Sequence, residues 1–319
     1  MFFKSLMKWM IMLTIIISIS SNNWFIFWIM MEMNMMMFIP IMKQNKMQNC
    51  NSMISYFIVQ SFSSIMFFMG SSIMMTNYLI INETLINVSL MIKLAMIPFH
   101  SWLISISETL DYNSFSIILT IQKLIPLFIL SFMKSGITFI ISILSLIMSS
   151  IMIFNLKLFK KILIFSSISH LSWMIIIMFS SSSFWLFYMT IYMFMIFSIC
   201  KIFKKTNINS LQDLMKPKIM NNDKISIIIL MMSLGGLPPF FGFMIKFLAI
   251  IIIIKYSIIS IIILILSSLI NIFIYLQMVT PILLIYKNLN YSLNFYKVYN
   301  NLILSMVVIM TFVLINMML

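Results

Sequence analysis

Leu234-Gly235-Gly236-Leu237-Pro238-Pro239-Phe240-Phe241-Gly242-Phe243-Met244-Ile245-Lys246 interrupts an apolar run, 224–254, of 31 residues. A helix crosses a hydrocarbon core with about 20 residues, so this run exceeds one straight span. Two prolines remove two backbone donors and two glycines loosen the chain, so the helix must break here. Broken backbone at membrane depth survives only where protein or water covers it. The stretch therefore predicts a bundle with an interior, and Lys246 places a charge just beyond the break.

Working outward, Lys93-Leu94-Ala95-Met96-Ile97-Pro98-Phe99-His100 lies in the run 83–104. Pro98 cannot donate to the Leu94 carbonyl and its ring clashes there, which predicts a second break beside Lys93. The apolar runs fall at 6–20, 24–42, 53–74, 83–104, 114–133, 136–156, 161–180, 184–204, 224–254, 258–284 and 300–318. These predict eleven transmembrane helices in a single all-α membrane domain. The interrupted fourth and ninth helices are five apart. Five is odd, so they belong to two five-helix repeats of opposite topology, about 6–133 and 136–284, followed by a C-terminal helix at about 300–318.

Composition agrees. Of 319 residues, 63% are hydrophobic and 8% charged, and the mean hydropathy is +1.14. That leaves too little polar surface for a soluble fold or an added soluble domain. Cys50 and Cys200 show neither a CxxC nor a Cys/His spacing, which argues against a disulfide framework or a metal site. The lysine-bearing start followed by apolar residues is signal-like, but it lacks a small-residue cleavage site and is read as the first retained helix. All 20 basic residues are lysine, and isoleucine, phenylalanine, asparagine and 37 methionines abound. A/T-rich codons, and a code in which ATA specifies Met, would produce this pattern and point to an organellar gene.

The net charge of +14 reflects orientation rather than nucleic-acid binding. With eleven spans, fifteen lysines fall on the side of the N-terminus and only Lys134 and Lys255 on the other. The positive-inside rule makes the first side cytoplasm-like, the matrix in a mitochondrion. A miscounted helix would have scrambled this parity.

Three lysines remain, and they lie within helices. Lys93 and Lys123 are central in their runs, Lys246 is nearer one end, and Glu32 is near the centre of 24–42. Each costs about 2.5–3.5 kcal/mol at mid-membrane unless paired or hydrated. A pair fixing helix packing would not explain why the expense recurs, since buried pairs seldom improve on apolar residues. A chain of protonatable groups does. His170, central in 161–180, is a further candidate relay, and His100 would share a face with Lys93 if the helix were unbroken.

Several stretches together carry a specific resemblance: Trp28 to Pro40, Tyr56 to Gln60, Lys93 to Trp102, Gln122-Lys123 with Pro126, Lys161 to Trp173, and Leu234 to Lys246. They resemble the subunit 2 family of the NADH dehydrogenase of mitochondrial respiratory complex I, in its short, insect-like animal form. The resemblance implies an antiporter-like fold with a charged axis: Glu32 and Lys93 as a charge pair at one end, Lys123 as the central relay, Lys246 as the terminal lysine, and His170 in the SSIxH position. It implies a subunit of an H+-translocating NADH:ubiquinone reductase in the mitochondrial inner membrane, with N-terminus toward the matrix and C-terminus toward the intermembrane space. Its implied partners are the other membrane-arm subunits, membrane lipids and protons. NADH, FMN, iron–sulfur clusters and ubiquinone would be bound elsewhere in the complex and no cofactor by this chain, which lacks GxGxxG. Ile104-Ser105 replaces the family's Pro-Glu, with Glu108 nearby, and Gln277 stands where a basic residue is common. A free-standing proton/cation antiporter on the same fold, or a non-conducting membrane anchor, are the competing readings.

Overall fold

The structure is a computed structural model that describes residues 2–43, 48–73, 79–154, 156–180, 183–214, 221–238 and 240–287. The predicted helix 300–318, Lys46, Lys216, Lys218, Lys297 and Pro239 lie outside the described residues. Among those described, the architecture is helical: α1 Phe2–Ser20, α2 Trp24–Met42, α3 Gln48–Ile73, α4 Leu79–Leu94, α5 Ser101–Ser107, α6 Tyr112–Leu119, α7 Leu124–Phe132, α8 Gly136–Ile153, α9 Phe159–Phe179, α10 Phe184–Thr206, α11 Leu211–Leu214, α12 Asn221–Gly235, α13 Phe241–Ile253 and α14 Ile258–Lys287. Among the described residues, eight spans are long and apolar enough to cross a membrane, the α6–α7 stretch counting as one. The shorter α4, α5, α12 and α13 are pieces of the two runs predicted to be interrupted.

Burial explains the layering. Every residue of α9 from Ile162 to Met178 is buried, so this helix is enclosed by its neighbours on all sides, as an all-round apolar helix requires. It packs against α8 and α10, and also touches α5, α7 and α13. At the periphery, α14 turns Ile258, Ile259, Ile262, Leu266, Leu269 and Phe273 outward. Such a stripe would be a liability in water and is matched to lipid tails.

The predicted breaks have defined chemistry. At the end of α4, Ala95 takes a left-handed φ of 57°, Ala95 N–H donates to the Ile92 carbonyl and Met96 N–H to the Met91 carbonyl, each at 3.1 Å. At the end of α12, Gly236 takes φ 86°, Gly236 N–H donates to the Ser233 carbonyl at 3.2 Å and Leu237 N–H to the Met232 carbonyl at 3.3 Å. Both are Schellman terminations, which use a left-handed residue to satisfy carbonyls that the helix would leave open. The second uses the expected glycine. The first forces an alanine into that region because Pro98 forbids continuation.

A third break was not anticipated. The run 114–133 divides into α6 and α7 through a 3₁₀ turn, Ile121–Lys123. Pro126 lies in the first turn of α7, where its missing N–H costs nothing, so restarting the helix at Leu124 accommodates it.

Contacts gather several predicted lysine-bearing loops at one end. Lys4 donates to the Lys43 carbonyl at 2.8 Å, Lys160 to the Leu110 carbonyl at 2.6 Å, and Leu158 pairs with Ser210. Lys161 meets Glu108 at 2.7 Å and Lys205 meets Asp223 at 3.0 Å. These exposed pairs are worth about 0–1 kcal/mol each. Their position, rather than their strength, carries the information.

Where α13 starts, a Cβ added to Gly242 would stand 1.6 Å from the Ser233 carbonyl oxygen, a backbone atom that cannot move without parting α12 from α13. Gly242→Ala is therefore expected to abolish most of the folded chain recovered in membranes. Gly136→Ala, with nothing within 4 Å of the added atom, should be neutral or stabilising by up to about 1 kcal/mol. Comparing the detergent-extracted, protease-resistant chain for the two variants checks this.

Candidate functional site

The first half of the site is organised by α3. Lys93, in the last turn of α4, is 8% exposed, and its Nζ donates to the Gln60 carbonyl at 3.4 Å. A helix C-terminus carries partial negative charge, which suits a cation there. Glu32, on α2 and half-buried, accepts a hydrogen bond from the Ser64 hydroxyl. Gln60 and Ser64 are one turn apart, so one face of α3 serves both charges. Among the described residues the ion pairs are Lys161–Glu108 and Lys205–Asp223. Glu32 and Lys93 thus make no direct ion pair in this arrangement but meet the same face of α3, close enough for their charges to act on each other.

Lys123 ends the 3₁₀ turn and is 2% exposed. Its Nζ donates to the Ser167 hydroxyl of α9 at 3.0 Å, which donates in turn to the Ile164 carbonyl at 2.6 Å. The preceding side chain points elsewhere. Gln122 Nε2 donates to Asn34 Oδ1 at 3.0 Å, and its Oε1 accepts from the Tyr56 hydroxyl at 3.3 Å. Between Lys93 and Lys123 lies a cavity of about 20 Å³, whose polar lining also includes Asn34, Tyr56, Gln60 and Gln122. That volume is room for about one water molecule.

Lys246 does not reach for the membrane surface. It is 6% exposed and folds back from α13 onto the end of α12, donating to the Gly235 carbonyl at 2.7 Å and the Leu234 carbonyl at 3.4 Å. A Cβ on Gly236 would come within 3.1 Å of Nζ, so glycine there serves both the left-handed turn and the approach of the lysine. His170 joins this cluster: its ring meets the Leu234 carbonyl, and its Nδ1 lies 2.8 Å from the Tyr188 hydroxyl. Ser167 and His170 are one turn apart on α9. That helix therefore links Lys123 to the Lys246 end as α3 links Glu32 to Lys93.

The structure thus strings the five candidate residues through the interior in the order Glu32, Lys93, Lys123, His170, Lys246. Two other charged or titratable candidates separate from the string. The α4 break turns His100 away, placing its Nδ1 3.2 Å from the Pro98 carbonyl. Glu108 is engaged by Lys161 at the lysine-rich end. Sequence reading overlooked Ser64, Ser167, Tyr188 and Asn34, and gave no role to Tyr56, Gln60 and Gln122. The available signal was polar residues spaced three or four apart within apolar runs: Gln60 with Ser64 and Ser167 with His170.

Residues 74–274 match the family model described as NADH:quinone oxidoreductase/Mrp antiporter, TM. An NADH-ubiquinone oxidoreductase chain 2 from Rhipicephalus sanguineus is 46% identical over 316 residues, covering 98% of this chain and 99% of that one. One from Anopheles gambiae is 34% identical over 74% of this chain and 72% of that one. Among solved structures, a chain of respiratory complex I from Thermus thermophilus superposes with a TM-score of 0.78 at 17% identity, covering 88% of this chain and 70% of that one. A chain of the Mrp complex from Dietzia sp. gives 0.72 at 14% identity, covering 84% and 58%. The structural matches establish the antiporter-like fold. With the fold, the matched model and near full-length identity in agreement, this chain belongs to the NADH-ubiquinone oxidoreductase chain 2 family.

Proposed function

We propose that the chain is the membrane-arm subunit of the proton-pumping NADH:ubiquinone oxidoreductase that carries Glu32, Lys93, Lys123, His170 and Lys246 as a proton axis across the mitochondrial inner membrane. The observation that carries this reading is the continuous string of polar groups through an otherwise apolar bundle. In it, each lysine is buried and bonded to a carbonyl or hydroxyl rather than to a carboxylate. An opposite charge brought closer holds a proton on a lysine, and its withdrawal lets the proton go. A neutral carbonyl or hydroxyl partner leaves that control to the moving charge, whereas a tight ion pair would fix the proton.

In this reading, electron transfer from NADH to ubiquinone takes place in other subunits, which also hold FMN and the iron–sulfur clusters. Conformational and electrostatic change reaching Glu32 alters its distance from Lys93, and protons move along Lys93, Lys123 and Lys246, with His170 serving the last interval. The two halves, about 6–133 and 136–284, are inverted repeats, each contributing one Schellman-terminated break. The lysine-rich end faces the matrix with the N-terminus, and the C-terminus faces the intermembrane space.

Three outcomes are expected. Replacing Lys123 with Met should slow NADH-driven proton pumping and the coupled NADH oxidation by roughly tenfold or more, read in sealed inner-membrane vesicles. Full rates of both would sink the relay assignment. Purified alone in liposomes under an imposed cation gradient, the chain should show no exchange of protons for cations, and robust exchange would instead favour a free-standing antiporter. A membrane-impermeant amine reagent should label exposed Lys201 and Lys204 in inside-out vesicles, and Lys134 and Lys255 in mitoplasts of native orientation. The reversed pattern would overturn the orientation.

A further inference from the structure

We propose that the Asn34–Gln122–Tyr56 chain is a gate on the proton step from Lys93 to Lys123, closed in the arrangement seen. This rests on the relay reading above. The cavity between the two lysines has room for about one water, so position alone would let a proton cross. Both lysines border it, yet the hydrogen bond of each ammonium goes to protein, Lys93 to the Gln60 carbonyl and Lys123 to the Ser167 hydroxyl. Among the other polar groups lining the cavity, only the Tyr56 hydroxyl passes a proton readily, by accepting one and donating another. Its proton is directed to Gln122 Oε1 at 3.3 Å, a long bond for a hydroxyl donor, while the Gln122 amide nitrogen donates to Asn34 at 3.0 Å. A carboxamide in that place holds the hydroxyl without carrying the charge onward.

The geometry also supplies the means of opening. Tyr56 is 2% exposed, with its ring centroid 5.3 Å from that of Phe38 and 6.1 Å from that of Trp102. Trp102 in turn donates to the Ile92 carbonyl at 3.2 Å, beside Lys93. The hydroxyl is therefore fixed with respect to the end of α4. Gln122 instead belongs to the 3₁₀ turn that joins two half-helices, a place suited to hinging. Gln122 and Lys123 are consecutive residues of that turn, so rotation that takes Lys123 off Ser167 also draws Gln122 off Tyr56. Closing does the reverse.

In the open state an N–H bond of the Lys93 ammonium breaks and its proton passes to the Tyr56 oxygen, directly or through one water. The hydroxyl's own proton goes to the lone pair of the Lys123 amine. Hydroxyl and water end unchanged, and one positive charge has moved from Lys93 to Lys123.

The test uses the assembled complex in sealed inner-membrane vesicles, measuring NADH oxidation, protons pumped per NADH and the solvent deuterium isotope effect. Gln122→Leu frees Tyr56 permanently, and the expected result is a loss of protons pumped per NADH while NADH oxidation continues. Gln122→Glu keeps the shape but adds a proton-carrying group, and should leak in the same direction even if the leucine variant fails to assemble. Tyr56→Phe removes the carrier, and should slow oxidation and pumping together by roughly tenfold with an enlarged isotope effect. Wild-type stoichiometry in the Gln122 variants, with wild-type rate and isotope effect in Tyr56→Phe, overturns the gate. If Lys123→Met is slowed in that same comparison, the relay stands and only the gate falls. A silent Lys123→Met removes both.

Discussion

The Lys246 ammonium against the carbonyls of Gly235 and Leu234 is the interaction on which the second half of the bundle depends. Ending a helix inside lipid exposes carbonyls that have no water to turn to, each costing several kcal/mol if left open. The left-handed turn at Gly236 satisfies Ser233 and Met232 internally, and the lysine answers the remaining two from the following half-helix. The same contact solves the reverse problem. A buried ammonium needs acceptors, and the negative end of a helix is one of few that add no carboxylate. Break and charge are each too costly alone and stabilise one another.

The first half reaches the same end differently. Lys93 lies within the helix that terminates, so it cannot fold back onto its own last carbonyls as Lys246 does. It takes a carbonyl of α3 instead, at the longer distance of 3.4 Å, and is left more open to Glu32. In the proposed relay this difference gives the axis a direction. One end holds a lysine with a half-buried carboxylate nearby, whereas the other holds a lysine seated on backbone carbonyls, with His170 meeting the same Leu234 carbonyl.

How much of this was legible in the sequence follows from what each residue must do alone. Gly235-Gly236 with Pro238 and the isolated Pro98 announce their breaks because backbone chemistry acts locally, and mid-run lysines announce themselves because lipid penalises charge wherever it sits. The break at Lys123 stayed hidden although Pro126 was visible. A proline in an apolar run is compatible with a kinked helix or a restarted one, and the choice depends on neighbours packed around the turn. Ser64, Ser167 and Tyr188 were hidden for a related reason. A serine in a membrane helix ordinarily bonds its own preceding turn, as Ser63 does to Gln60 at 2.7 Å, and nothing local distinguishes the one whose hydroxyl also meets a charge. The separation of Glu32 from Lys93 is likewise a property of three helices together.

The charge inventory constrains how such an axis can operate. The proposed axis holds three lysines and one carboxylate, so fully ionised it would carry an excess of two positive charges in a medium that screens poorly. Like charges in one low-dielectric region disfavour each other, and a proton on one lysine therefore opposes a proton on the next. In the proposed relay, occupancy is then sequential rather than simultaneous, and the polar groups between lysines serve as switches as well as bridges. Ser167 can accept from a charged Lys123 or donate to a neutral one, because a hydroxyl has both capacities. The Gly235 and Leu234 carbonyls can only accept, and so favour the charged form of Lys246. The chemistry of each partner, hydroxyl in the middle and carbonyl at both ends, thus matches the place that the proposed path gives its lysine.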